Sequence, residues 1–208
     1  MDIEYKGANC IVITTKKSTV VIDPKLSGVG LKDYMPKDAV VIATQEDLLV
    51  YNDSAIVIDR PGEYEARGVS ITGVSAERLI DHDKSHKSTI YRLIVGDVRF
   101  AILGHVATPL TEEQLEILGV IDIVIVPVGG SGYTLDAHQA VAAVRQIDPK
   151  AVIPTHYADK ALKYEVPQMD IEPFVKEFSA PQHETLAKWK IKGPLPEILS
   201  LIELERTV

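Results

Sequence analysis

The hydrophobic positions at the start of the chain form short β-branched runs separated by turn residues. These runs occupy residues 3–6, 10–14 and 19–22, and Gly, Asn, Thr, Lys and Ser lie between them. Runs of this length with such boundaries are typical of β-strands. We predict an antiparallel meander that ends at Asp23-Pro24.

Further strands are predicted wherever the same pattern returns. They fall at residues 39–43, 55–58, 63–66, 69–73, 89–95, 98–103, 121–126, 151–154, 185–191 and 198–205. Helical patterns occupy residues 112–118, 136–147 and 171–178. Thr44 is expected to cap a short helix that has Glu46 and Asp47 in its first turn.

The order of these elements predicts the fold. Antiparallel strands followed by strand and helix alternation occur in residues 1–80 and again in residues 89–205. Strands that are apolar on both faces need helices on one side and a second sheet on the other. We therefore expect an α/β (α+β) protein, a four-layer αββα sandwich, that forms a single domain over residues 1–208.

Composition narrows the class of protein. The 208 residues are 46% hydrophobic and 25% charged, which is ordinary for a soluble globular protein. A formal net charge of −8 argues against nucleic acid as the main partner. The N-terminus lacks a signal peptide pattern, and no apolar segment reaches membrane-spanning length. A cytoplasmic protein without a membrane partner is the default, and whether it forms an oligomer stays open.

The only cysteine, Cys10, lies inside an apolar run, so no intrachain disulfide is possible. We expect a buried and unreactive thiol.

The segment from Leu103 to Tyr157 is the best place to look for a site. It is predicted to contain strand ends at His105 and His156, a Gly-rich loop at residues 129–132, and a helix that Asp136 caps or begins. Polar residues at the ends of strands line ligand sites in βαβ units. The loop lacks the Lys-Ser/Thr of a phosphate-binding loop, so the rim of a pocket is its expected role.

A series of short motifs follows one another along nearly the whole chain. They are Ile22-Asp23-Pro24, Arg60-Pro61-Gly62-Glu63-Tyr64-Glu65, Leu103-Gly104, Pro109-Leu110-Thr111-Glu112-Glu113-Gln114-Leu115, Val126-Pro127-Val128-Gly129-Gly130, Thr134-Leu135-Asp136-Ala137 and Ile153-Pro154-Thr155-His156-Tyr157. With these motifs, in this order, the chain resembles the metallo-β-lactamase-fold superfamily, in its branch of ascorbate-6-phosphate-lactonase-like hydrolases.

The resemblance implies a metal motif that this chain has changed. Catalytic relatives carry Thr-His-x-His-x-Asp-His, whose imidazoles and carboxylate hold two zinc ions and a nucleophilic hydroxide. Here the same place is occupied by Thr44-Gln45-Glu46-Asp47-Leu48-Leu49-Val50. Gln45 and Asp47 stand at the first two His positions, and Leu49 and Val50, which cannot bind zinc, stand at the Asp and the last His. We expect Leu49 and Val50 to be packed.

The other ligand positions are also altered. The family's Leu-Gly-Asp supplies an Asp that bridges the metals, and His105 replaces it here. A further His of the family is expected before the strand that begins at Thr89, and Glu77 lies near that position. His82 or His86 could occupy it instead. His156 alone matches a ligand by identity. The run from Asp81 to His86 has a metal-like composition, but a solvated turn is its expected role.

Two hypotheses follow from the resemblance. In the first, the protein is a divergent hydrolase of a small ester, lactone or phosphodiester, with one divalent ion (zinc or manganese) held by Asp47, Glu77, His105 and His156. In the second, which we favour, the metal is absent and the sandwich is a pseudoenzyme that serves as a binding module for a small molecule. The candidate pocket in either case contains Gln45, Asp47, Glu77, His105, Asp136 and His156.

Each metal ligand has a structural alternative. His156 could be a buried histidine with ordinary hydrogen bonds, Asp47 a carboxylate in the first turn of a helix, and His105 a donor to a backbone carbonyl.

Overall fold

The molecule is built from strands that match the predicted runs at most positions. A computed structural model describes residues 1–80 and 87–207. Its strands are β1 (Asp2–Gly7), β2 (Cys10–Thr14), β3 (Thr19–Ile22), β4 (Val40–Ile42), β5 (Ile56–Ile58), β6 (Gly62–Ala66), β7 (Val69–Glu77), β8 (Lys87–Val95), β9 (Val98–Ile102), β10 (Ile123–Pro127), β11 (Ala151–Thr155), β12 (Gln182–Leu186), β13 (Trp189–Lys190) and β14 (Ser200–Leu204). Its α-helices are α1 (Glu112–Leu118), α2 (Ala137–Ile147) and α3 (Glu172–Phe178).

The strands form two sheets. The first has the order β13-β1-β2-β3-β4-β5 and the second has the order β12-β14-β11-β10-β9-β8-β7-β6. The opening strands β1, β2 and β3 pair antiparallel, which confirms the predicted meander. Parallel pairs join β3 to β4 and β4 to β5 in the first sheet, and β9 to β10 and β10 to β11 in the second.

The two sheets bury one apolar interior between them. Ile11, Ile22 and Ile42 of the first sheet belong to the same buried cluster as Leu93 and Ile125 of the second. In a strand the neighbouring residues point to opposite faces. Val124 and Val126 accordingly belong to a second cluster, on the outer face of the second sheet.

Different layers cover the two outer faces. Residues of α2 and α3, among them Val141, Val144 and Phe174, pack on the outer face of the second sheet. The outer face of the first sheet is covered by loop residues that include Leu26 and Tyr34, with a 3-10 turn at Ser27–Val29. The predicted mixed α/β sandwich of two sheets is confirmed.

Helix ends follow their sequences. Asp136 is the N-cap of α2: its carboxylate accepts the backbone N–H of Gln139, and the Gln139 side chain bonds back to the backbone of Asp136. Thr111 forms the same type of capping box with Gln114 in α1. Such boxes satisfy backbone donors that a helix leaves free at its start.

Two local predictions were wrong. Residues 185–191 do not form one strand, because β12 ends at Leu186 in the second sheet and β13 begins at Trp189 beside β1 in the first. Thr44 does not cap a helix. The residues after it form a 3-10 turn, Glu46–Leu48, and the Thr44 hydroxyl donates to Asp23 instead.

Among the described residues, no helix is long and apolar enough to cross a membrane. The cytoplasmic location and the single domain stay predictions. Cys10 is fully buried, and burial raises the pKa of its thiol, as expected of an unreactive cysteine.

Candidate functional site

The candidate site lies where parallel strands of both sheets end. Asp23 follows β3, His105 comes three residues after β9, and His156 follows β11. All three side chains line one pocket. The carboxyl ends of parallel strands are the usual place for ligand sites in α/β proteins, so the topology explains why these distant residues meet.

The pocket has a volume of about 270 Å³. Its walls combine aromatic, acidic and small residues. They are Ala8, Asn9, Asp23, Lys25, Gly28, Val29, Asp47, Leu48, His105, Tyr133, His156, Tyr164, Glu165 and Val166.

Four rings form a connected cluster in this pocket. The rings of His105 and His156 meet edge to face, with centroids 4.7 Å apart. Tyr133 lies 4.6 Å from His105, and Tyr164 lies 4.7 Å from His156. The sequence had predicted that the two histidines lie near one another, but Tyr133 and Tyr164 were missed, because tyrosines in loops give no distinctive pattern.

The backbone and side chain of His156 are both fixed. Its φ is 55°, its N–H donates to the Ala8 carbonyl at 2.9 Å, and its Nδ1 lies 3.2 Å from Gln168 Oε1. Burial lowers the pKa of His156 to about 4, so its imidazole is neutral at pH 7.

His105 is as buried as His156 but has fewer partners. It is 3% exposed, and neither ring nitrogen has a hydrogen-bond partner among the residues that the structure describes. Burial lowers the pKa of His105 well below its usual range, and the neighbouring His156 and Arg78 act in the same direction. An orphaned imidazole in a pocket wall is costly unless a ligand satisfies it.

Asp23 is a further buried titratable group of the pocket, and the sequence prediction had not included it in the site. Its carboxylate accepts the Thr44 N–H at 2.7 Å and the Thr44 hydroxyl at 2.8 Å. Burial nevertheless raises the pKa of Asp23 to about 7. The sequence showed only that an Asp23-Pro24 pair ends β3. The hydrogen bonds to Thr44 are what place Asp23 in the pocket wall.

Asp47 lines the histidine pocket, whereas Gln45 does not. Asp47 is at the pocket rim, where its carboxylate is 61% exposed and lies 4.0 Å from the Arg78 guanidinium. Gln45 is buried and lines the neighbouring cavity, and its Nε2 has no partner among the described residues.

The remaining predicted residues lie outside the wall of the histidine pocket. Glu77 is an exposed residue at the end of β7, and Asp136 is exposed and caps α2. His82, His86 and the rest of the run from Asp81 fall outside the described residues. Leu49 is buried, as predicted, whereas Val50 is only partly buried, and neither is among the residues that line the pocket.

The side chains of the site include few groups that could bind a metal ion together. Over residues 1–80 and 87–207, no three side chains of His, Cys, Asp or Glu come together to hold a metal ion. Two imidazoles in edge contact and one exposed carboxylate beside an arginine do not supply the three or four converging ligands of a zinc centre. The described residues therefore do not fit the family's two-zinc centre.

Two facing sheets with a ligand pocket at the strand ends define a metallo-β-lactamase type of architecture. The chain belongs to the beta-lactamase superfamily, since the family model for the beta-lactamase superfamily domain matches residues 2–156. The superfamily predicted from the sequence motifs is thereby confirmed, and the narrower branch stays a prediction.

Individual relatives agree with this membership. The chain is 27% identical over 131 residues to a UPF0173 metal-dependent hydrolase of Nanoarchaeum equitans, a match that covers 62% of this chain. It spans only 46% of the length of that curated relative.

Solved structures show the same fold along the chain. A protein of Thermotoga maritima that is assigned to the Zn-dependent hydrolases of the metallo-beta-lactamase superfamily is 26% identical, with a TM-score of 0.72 over 98% of this chain and 99% of that one. A metallo hydrolase from Ignicoccus hospitalis is 19% identical, with a TM-score of 0.59 over 86% of this chain and 90% of that one.

Proposed function

We propose that this protein is a divergent member of the superfamily that binds a small molecule in the histidine pocket without the two-zinc centre of its catalytic relatives. The observation that carries the proposal is the state of the two imidazoles. Both are buried, which lowers the pKa of each imidazole, and their rings meet edge to face. The described residues supply no third ligand beside them.

The changed metal motif supports the same conclusion. Leu49 and Val50 stand where the resemblance places ligands, and aliphatic side chains cannot coordinate zinc. The Asp47 carboxylate faces Arg78 and solvent. A hydroxide nucleophile generated between two zinc ions is therefore not part of the proposed function.

A second candidate is a hydrolase that uses one divalent ion. It is favoured by His105, whose ring contacts His156 and whose two ring nitrogens have no hydrogen-bond partner among the described residues. The relatives from Nanoarchaeum and Thermotoga are named metal-dependent and Zn-dependent hydrolases. An exposed carboxylate such as Asp47 and two imidazoles would give an open three-ligand site if Asp47 rotated away from Arg78.

Hydrolysis assays separate these candidates. The protein, purified without chelator, is tested on lactone and phosphodiester substrates with and without added zinc or manganese, and its metal content is measured by elemental analysis. We expect less than one equivalent of metal per chain. We also expect that any turnover of these substrates is unchanged in His156→Ala. Turnover that is lost in both His105→Ala and His156→Ala, with a full equivalent of metal in the active protein, would establish the second candidate instead.

A further inference from the structure

The histidine pocket combines aromatic walls with an excess of carboxylates, and we propose that it takes a small organic cation, a molecule with a protonated amine. This inference rests on the proposed function, because it names the class of ligand for the same pocket. Three features of the pocket favour such a ligand: its charge, its aromatic surface and an unsatisfied hydrogen-bond acceptor.

The charges on the wall favour a positive ligand. Asp23, Asp47 and Glu165 line the pocket, and Lys25 is its one basic residue among those described. Glu165 and Asp47 are exposed at the rim, where their charges attract a cation from solvent, although Arg78 lies 4.0 Å from the Asp47 carboxylate. Asp23 lies buried, and burial raises its pKa to about 7, so it contributes only part of a charge at pH 7. Clefts with one prevailing sign of charge concentrate ligands of the opposite sign.

The aromatic surface suits the same ligand. Tyr133 and Tyr164 flank the two imidazoles, with neighbouring ring centroids 4.6 and 4.7 Å apart. The faces of tyrosine rings attract ammonium groups, and aromatic cages are a common way to bind them.

His105 supplies an independent observation that points to a ligand. Its ring is a wall of the pocket, it is 97% buried, and neither nitrogen has a partner within the described part of the chain. A neutral imidazole has one N–H and one lone pair. The N–H of an ammonium group can donate to that lone pair, which an anion or an aliphatic group cannot do.

The size of the pocket limits the ligand. Its volume of about 270 Å³ is just below the range typical of sites for drug-sized molecules. A primary amine with one ring or a short chain is the appropriate size.

The test compares three probes of nearly equal size that differ in charge: benzylammonium, benzyl alcohol and benzoate. Their binding to the full chain is measured by calorimetry at pH 7. We expect benzylammonium to bind at least about tenfold more tightly than benzyl alcohol, and benzoate to bind least, since a difference of one cation–π contact or charge pair is of that order. Equal binding of the three, preference for benzoate, or no binding of benzylammonium would overturn the inference.

A pair of variants locates the effect. Glu165→Gln removes one rim carboxylate and keeps its shape, so the preference for benzylammonium should fall several-fold. Glu65→Gln, on the exposed edge strand β6, removes the same charge away from the pocket wall and should leave the preference unchanged. An equal loss in both variants would mean that only net charge matters, which contradicts a site in this pocket.

The outcomes for the two proposals differ. If metal-free protein prefers benzoate or benzyl alcohol, the inference of a cationic ligand is wrong, but the proposed function of small-molecule binding still holds. A full equivalent of metal that both histidines require would overturn the binding function itself.

Discussion

His105 and His156 are buried side by side, and the free energy of keeping them neutral should appear in the pH dependence of stability. The pKa of His156 is lowered from 6.5 to about 4 in the folded protein, so below pH 6.5 the unfolded chain binds a proton that the folded chain does not. The contribution of His156 to stability is therefore lost as the pH falls from 6.5 to 4. The shift in His156 corresponds to about 3 kcal/mol, and His105 acts in the same direction.

The variant His156→Asn isolates this contribution. Asparagine tolerates the positive φ of this position better than most residues. The free energy of unfolding is measured by urea titration at several pH values. Between pH 6.5 and 4, its change should be less unfavourable in His156→Asn than in the unaltered protein, because the variant lacks the His156 contribution. Asp23, whose pKa is raised, contributes the opposite slope in both proteins, so the comparison cancels it.

The control for this prediction is Gly193→Ala, an exposed substitution that removes no titratable group, and it should keep the original slope. If His156→Asn and the unaltered protein lose stability in parallel, His156 does not carry the proposed proton linkage.

Thr44 holds the Asp23 carboxylate with its backbone N–H and its hydroxyl. Thr44→Val keeps the shape of the side chain but removes the hydroxyl donor from a buried carboxylate. We expect it to lower the free energy of unfolding by about 1–3 kcal/mol, because a buried acceptor loses a partner. Thr44→Ser, which keeps the hydroxyl, should lose clearly less, and equal losses in the two variants would contradict a role for this hydrogen bond.

At the scale of elements, the junction between β10 and the following loop positions His156. A Cβ atom added to Gly129 would collide with the His156 carbonyl oxygen and the Gln168 side chain, which also holds His156 Nδ1. We expect Gly129→Ala to lower the free energy of unfolding by about 1–3 kcal/mol, since overpacking at a backbone contact forces the chain to shift.

The matched control is Gly193→Ala, because a Cβ atom at Gly193 meets nothing within 4 Å. Thermal unfolding of both variants measures the difference. A Gly129→Ala protein as stable as the control would show that the close approach of this loop to His156 is not needed for the fold.

Most elements were predictable from sequence because their patterns are local. The meander of β1 to β3, helix α1 and the Asp136 cap each depend on residues close together in the chain. The division of residues 185–191 between β12 and β13 was not predictable, because each half pairs with a strand that is distant in sequence.

The site was predictable only in part, for the same reason. Strand ends at His105 and His156 indicated that the two would meet, and their rings are in contact. Asp23, Tyr133 and Tyr164 join them through contacts between the two sheets and the loops, which no local pattern encodes. Gln45 and Glu77 were placed by analogy with a metal centre, and Asp136 by its position after the Gly-rich loop. All three lie outside the wall of the histidine pocket.

At the scale of the whole molecule, the superfamily architecture and the chemistry of the site are separable. The two-sheet sandwich follows the superfamily, whose family model matches residues 2–156. Fold alone does not determine function, which depends on the side chains at the site. In our account, this chain keeps the architecture and uses two neutral imidazoles, two tyrosines and a carboxylate rim to bind a small molecule.

Calorimetric titration of zinc into chelator-treated protein at pH 7 tests the central claim most directly. Structural and catalytic zinc sites require three or four protein ligands, and a pair of buried imidazoles provides only two. The account predicts no binding event with a stoichiometry of one or two zinc ions per chain. Stoichiometric zinc binding that disappears in His105→Ala and in His156→Ala would contradict it.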